Sequence, residues 1–424
     1  MRSILFFLAL FGLAGAEERR LTLRAAVEQG LGSNAALRAA DARVQSAYWS
    51  YQKSASLQST QVTAGTIAGS NVPGSVTGGN NPSGAGAGFA TFAANGRTDT
   101  YVQVTQPFLP LGSGESARRV AWEEYRQVAA GYQAAQAVLR QQIKDAFFNL
   151  VAAQDLLGVA EGNLRVAEEV YQLAESRFSA GAGPQLDLID AGVQRSRAHQ
   201  EVVRSQSSLR QLQAALAPLL NLPASDLLVG EGALEVPRLE LDFPQLLARA
   251  EENPQVSSAL SALERNRASR SLAAQQAHPT PLLTAIHDWT TQTYQLQVGL
   301  QFPLDWGQIR NEVRAREQQV VEQEATLEST RLSVASQLKS AFELYQGAAR
   351  NASEFREKVL LPSEQSARIT QYGFRSGAVP YLRLLSSQQN LAAVRKEYIA
   401  LLQSAQLAWN AVEAATGRPL VFDT

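Results

Sequence analysis

The chain has 424 residues, with 38 Lys and Arg against 39 Asp and Glu for a formal net charge of -1, three His and no Cys. So balanced a charge gives no electrostatic case for nucleic acid or an anionic membrane surface as partner. The absence of Cys excludes both structural disulfides and lipid attachment at a Cys.

Arg2, the apolar run Ile4 to Leu13 and the small residues Ala14-Gly15-Ala16 form a secretory signal over 1–16, so the mature chain is expected to begin at Glu17. Beyond it no run of about 18 apolar residues occurs, and no transmembrane helix is expected. If this chain spans a membrane, it must do so with strands.

A first repeat is expected over 17–220. It opens with a helix from about Leu23 to Leu57, followed by a β-hairpin over 58–108. Within that hairpin Gly65 to Asn95, rich in Gly, Ser, Asn and Ala, reads as a long loop exposed at the outer ends of two strands, and Thr100 to Phe108 as the second strand. Pro107-Phe108-Leu109-Pro110-Leu111-Gly112 then launches a long helix over 114–178. That is about 100 Å of helix at about 1.5 Å per residue, too long for an ordinary globular domain. Ile143, Ala146, Phe147, Leu150 and Val151 follow three-and-four spacing along it, as do Leu209, Leu212, Leu216 and Leu219 in a returning helix over 184–220.

A linker over 221–242 reads as irregular. The second repeat, 243–416, restates the first. Asn253 stands where Asn34 stood, and a hairpin over 280–303 pairs Pro281 to His287 with Tyr294 to Phe302. The latter alternates cleanly, with Leu296, Val298, Leu300 and Phe302 on one face and Gln295, Gln297, Gly299 and Gln301 on the other. Its length suits a strand tilted across a bilayer. A hairpin lying on a soluble core would alternate in the same way, but the rest of the chain offers no apolar surface for it to cover. Phe302-Pro303-Leu304-Asp305-Trp306-Gly307 launches a second long helix, 307–374, in which Pro362 should produce a break or kink. A returning helix over 380–416 and a tail over 417–424 complete the chain.

The repeat is clearest at the two helix-to-helix turns. Arg177-Phe178-Ser179-Ala180-Gly181-Ala182-Gly183-Pro184 recurs as Gly373-Phe374-Arg375-Ser376-Gly377-Ala378-Val379-Pro380, with Gly past the end of one helix and Pro before the next. Length alone would suggest two or three domains, but the duplication overrides that estimate. The fold class is therefore mainly α with a small β part: duplicated long helical hairpins and four strands per chain. Four strands cannot close a barrel, and open edges in lipid leave backbone groups unsatisfied, so strands must be pooled between copies.

The signal, the duplicated order of elements, the strand-to-helix launch and the Arg-Phe-x-x-Gly turn together resemble the TolC-like outer membrane efflux proteins, over essentially the whole mature chain. The resemblance implies a homotrimer whose twelve strands form a transmembrane β-barrel, continued by an α-barrel tunnel through the periplasm. It further implies an exit duct for a tripartite efflux or type I secretion system, embedded in outer membrane lipid and joined by a periplasmic adaptor to an inner-membrane transporter. Arg177, Phe178, Gly181, Phe374 and Gly377 match positions with which the family docks the adaptor. Where well-known members carry two entrance Asp residues after the second turn, this chain has Arg383 and Ser386, while Asp187 and Asp190 occupy the corresponding places of the first repeat. These four are the candidate entrance constriction, although Asp187 and Asp190 also suit a first helical turn, where the dipole favours acids.

Two rival readings remain. A secreted periplasmic coiled-coil scaffold would explain the helices but not the matching strand pairs. A dinucleotide-binding enzyme is suggested only by Gly112-Ser113-Gly114-Glu115-Ser116-Ala117, which Pro107 and Pro110 spoil as the end of a buried parallel strand. His199, His278 and His287 lack metal spacing and Ser lacks a nucleophile setting, so neither a metal, a cofactor nor an enzymatic activity is expected.

Overall fold

In a computed structural model the described residues are 18–54, 60–68, 98–181, 183–238, 241–289 and 292–417. The signal over 1–16, most of the loop Gly65 to Asn95, and the tail from 418 lie outside them. In chain order the elements are β1 (Glu18–Thr22), α1 (Leu23–Ser33), α2 (Ala35–Ser54), β2 (Gln61–Ala68), β3 (Thr98–Pro107), α3 (Ser113–Ser179), α4 (Gln185–Leu216), β4 (Leu227–Glu231), α5 (Phe243–Ala250), α6 (Pro254–Gln275), β5 (Thr280–Asp288), β6 (Thr293–Gln301), α7 (Trp306–Phe355), α8 (Leu361–Arg375) and α9 (Tyr381–Thr416).

The described residues fall into two compact units, taken separately, one within 1–41, 132–254 and 331–424, the other within 42–131 and 255–330. The first contains a core in which Ile143, Phe147, Leu150 and Val151 of α3 pack with Leu216, Leu220 and Leu228. The three-and-four spacing selects these residues because it places them on one face of the helix.

The expected single helix from Leu23 to Leu57 is instead α1 and α2, broken at Asn34. Asn34 is extended (φ -63°, ψ 127°), and its side-chain oxygen accepts from Ala36 N at 2.9 Å and Leu37 N at 3.3 Å. An Asn that caps the following helix in this way ends the preceding one. Its amide nitrogen donates to Leu219 O at 3.3 Å, as that of Asn253 does to Ala415 O at 2.9 Å. Both Asn residues therefore tie a helix start to the end of their own repeat's returning helix.

The linker over 221–242 is not wholly irregular. β4 pairs in parallel with β1, Glu18 opposite Leu227 and Thr22 opposite Glu231. It is seated by Gln213 Nε2 donating to Leu228 O at 2.9 Å and by Gly230 N donating to Gln154 Oε1 at 3.1 Å.

At Pro362 the second long helix neither stops nor runs unperturbed. A single π turn, Arg356–Leu360, precedes Pro362 and joins α7 to α8. Phe147 and Phe342, upstream of it, are 195 apart, whereas Phe178 and Phe374 at the turns are 196 apart. One extra residue in the second repeat is thus taken up by the wider turn, where Pro lacks the donor an α-helix requires.

In the second unit the four strands form one antiparallel sheet of order β2-β3-β5-β6. Every residue of β6 is exposed, Val298 at 80%. Nine residues at about 3.4 Å each, tilted by about 40°, rise roughly 23 Å, close to the ~25 Å apolar band of outer membrane barrels. At one end of the hairpin His287 stacks on Tyr294 at 4.2 Å and meets Trp289 edge-on at 4.4 Å; at the other Phe302 and Trp306 are exposed. Rings at both ends match the aromatic girdles of membrane strands. β3 lies between antiparallel neighbours, which removes the parallel strand that a dinucleotide-binding reading of Gly112 to Ala117 requires.

Candidate functional site: the paired helical turns

Five residues separate α3 from α4, and five separate α8 from α9. Each turn closes through a glycine in the left-handed region, Gly181 at φ 69° and Gly377 at φ 80°. Gly181 N donates to Phe178 O at 2.9 Å, and Gly377 N to Phe374 O at 3.1 Å. No atom would lie within 4 Å of a Cβ added at either glycine, so backbone conformation rather than crowding demands Gly there.

The structure brings the two turns together. Arg177 Nη2 donates to the carbonyl of Phe374 at 3.1 Å, and its guanidinium lies 4.8 Å from the centre of the Phe374 ring. Phe374 is itself buried, packed with Ala174, Ala191, Tyr381 and Leu384. The two Phe residues of the repeated motif therefore differ: Phe178 is exposed and offers a surface, whereas Phe374 shapes the turn from within.

Asp187 and Asp190 are half-buried on the first turns of α4, beside Tyr381. Burial raises the Tyr381 phenol above its ordinary range, and Asp190 and then Asp187 raise it further. Its hydroxyl is buried without a hydrogen-bond partner among the described residues. Sequence reasoning passed over Tyr381, although its place directly after Pro380, at the start of a helix, was visible. Arg383 and Ser386 are exposed on α9, and within one chain Arg383 forms no ion pair with Asp187 or Asp190. Beside the turn a cleft lies between α3, α4 and α9, lined by Val166, Val170, Gln194, Ala198, Leu385 and Gln388.

Among the described residues no group of three or more His, Asp or Glu side chains could hold a metal ion, and no helix is long and apolar enough to cross a membrane.

Residues 26–222 and 246–418 match the family described as outer membrane efflux protein. The chain is 26% identical over 339 residues to the cobalt-zinc-cadmium resistance protein CzcC of Cupriavidus metallidurans, covering 77% of this chain and 80% of that protein. It is 26% identical over 282 residues to the pyoverdine export outer membrane protein OpmQ of Pseudomonas putida, covering 62% and 58% respectively. Its fold is that of the Campylobacter jejuni CmeC outer membrane channel, with a TM-score of 0.75 at 15% identity over 93% of this chain and 85% of that one. The Neisseria gonorrhoeae MtrE outer membrane channel gives 0.72 at 17% identity over 93% and 89%. The chain belongs to the outer membrane efflux protein family: it is an outer membrane channel, an exit duct with a periplasmic extension.

Proposed function

We propose that three copies of the chain pool their strands into a twelve-stranded barrel, and that this trimer is the passive exit duct of a tripartite efflux system with no catalytic role. The observation that carries the reading is the four-stranded antiparallel sheet whose end strands, β2 and β6, leave their outer backbone ladders open. In lipid each orphan backbone group costs several kcal/mol, so the sheet must be closed by other copies. Exposed Phe178 and the open glycine turns at Gly181 and Gly377 suit a periplasmic adaptor, which would connect the duct to an inner-membrane transporter. Asp187, Asp190, Arg383 and Ser386 are the residues assigned to the periplasmic entrance. The name of the CzcC relative makes divalent metal cations the first cargo to assay.

The test is membrane fractionation with gel electrophoresis. A trimer that falls apart on heating should appear in the outer membrane fraction, and deletion of the gene should sensitise cells to the cargo. Recovery as a soluble periplasmic monomer would overturn the reading.

A further inference from the structure

Residues of the two repeats correspond by constant steps in number: 219 from α2 to α6, as Asn34 to Asn253, and 195 from α3 to the early part of α7, as Gly112 to Gly307 and Phe147 to Phe342. Side-chain contacts follow the same steps. Tyr51 packs on Trp122 with ring centroids 5.2 Å apart; their counterparts, Arg270 and Glu317, form an ion pair at 3.3 Å. The chemistry has changed, but the helix register has not.

Helix α6 has a bonded neighbour on each side. Toward α3, Ser271 meets Ser116 at 3.2 Å and Glu264 meets Arg119 at 3.5 Å. Toward α7, Arg267 meets Glu324 at 2.8 Å and Arg270 meets Glu317 at 3.3 Å. Its counterpart α2 is different: among the described residues, the ring contacts and side-chain bonds that leave α2 all go to α3, through Tyr48, Tyr51, Trp122, Tyr125 and Arg118. The uncovered side of α2 carries Trp49, 66% exposed, whereas the counterpart of Trp49 on α6 is Ala268, 5% exposed. At the far end of the row, among the described residues, the side-chain bonds that the early part of α7 (306–330) makes to other helices all go to α6. The two helices with one neighbour adjoin β2 and β6, the two strands with one neighbour.

We infer that α7 of a second copy of this chain covers α2, in the register with which α3 covers α6. The inference rests on the ring of copies proposed above and deepens it by naming the contacts. Stepping Ser271 and Ser116 along the repeat gives Gln52 and Asn311, two amides that can each donate and accept. Stepping Glu264 and Arg119 gives Gln45 and Arg314, an amide oxygen for a guanidinium. All four are exposed in the single chain. Trp49 lies one helical turn from both Gln45 and Gln52 on the same face, so it closes over the seam between the two pairs.

The chain's lack of Cys makes this testable by disulfide crosslinking, which requires Cα atoms within about 7 Å. Gln52→Cys combined with Asn311→Cys, oxidised in isolated membranes with copper phenanthroline, should give covalent trimers that survive boiling and revert on reduction. Each single variant should run as a monomer after boiling. Gln52→Cys combined with Glu322→Cys, displaced about 16 Å along α7, should stay unlinked. Gln45→Cys with Arg314→Cys is an independent pair; because its counterparts Glu264 and Arg119 meet through the tips of long side chains, it is linked with a bismaleimide rather than by direct oxidation, and it decides the matter should the first disturb assembly. Trimers are scored separately on unboiled gels. Trimers without a crosslink in either matched pair, or equal linking in the displaced pair, would overturn the register; absence of trimers from the unsubstituted chain would overturn the ring itself.

Discussion

Lys144 donates to both carboxylate oxygens of Glu413 at 2.7 Å, tying α3 of the first repeat to α9 of the second with both side chains almost out of water. Removing one member of such a pair leaves an uncompensated buried charge, at a cost of about 3–5 kcal/mol. Glu413→Ala should therefore lower the unfolding midpoint strongly. The counterpart of Lys144 in the second repeat, Lys339, pairs with Glu343 at the surface, and Glu343→Ala should leave that midpoint unchanged. Denaturant unfolding in detergent compares the two; equal effects would contradict the assignment.

Beside that pair, burial pushes the Asp145 carboxyl above the ordinary range, against the opposing hydrogen bond from Asn410 at 2.8 Å and the charge of Lys144. A raised folded pKa means that the ionised form is less stable in the folded chain than in the unfolded one. Asp145 therefore costs stability above its folded pKa, and the cost is relieved as pH falls through it. Asp145→Asn should raise the melting temperature at pH 7, with the gain shrinking on acidification. A gain that grew toward low pH would reverse the argument.

On β6, Val298 shares a face with Leu296 and Leu300, and Gln297 lies on the opposite one. Val298→Arg should impair assembly, the penalty near mid-bilayer being about 2–4 kcal/mol per chain, while Gln297→Arg is tolerated in a watery lumen. Yields of heat-sensitive trimer measure both, and equal yields would mean that the faces are wrongly assigned.

At the second turn Gly377→Leu forces a side chain into the left-handed region, which costs about 1–2 kcal/mol, and fills open space at the proposed adaptor contact. Transport should be lost while trimers persist. Cargo sensitivity measured alongside trimer yield checks it, and normal transport would remove the docking role.

Arg383 sits exposed in the first turn of α9, at the positive end of the helix dipole, where a cation gains nothing from the helix itself. Arg383→Ala should raise passive conductance in planar bilayers without affecting adaptor binding. Unchanged conductance would assign closure of the entrance to other residues, with Asp187 and Asp190 next to be substituted.

Family, location and the order of the two hairpins and the long helices were legible in the sequence, because turns, helix starts and strand alternation are written in residues close together in the chain. Gly181 and Gly377 announce turns by their backbone freedom, Pro184 and Pro380 announce helix starts, and period-two alternation marks β6. The candidate site was only half legible. Repetition located both turns, yet Phe178 and Phe374 look equivalent in the motif, and only packing exposes one and buries the other beneath Arg177.

By itself the sequence determined that one helical hairpin unit occurs twice, with two strands in each copy, since duplication is a property of residue order. Tertiary structure alone decided what depends on partners distant in the chain. Asn34 was visible as a landmark, but that it breaks a helix and reaches Leu219 follows from where the returning helix ends. β1 and β4 are too short to show alternation and become strands only by pairing with each other. Pro362 predicted a disturbance, but its form, a π turn absorbing one extra residue ahead of a turn that still meets the first through Arg177 and Phe374, is seen only in the folded chain.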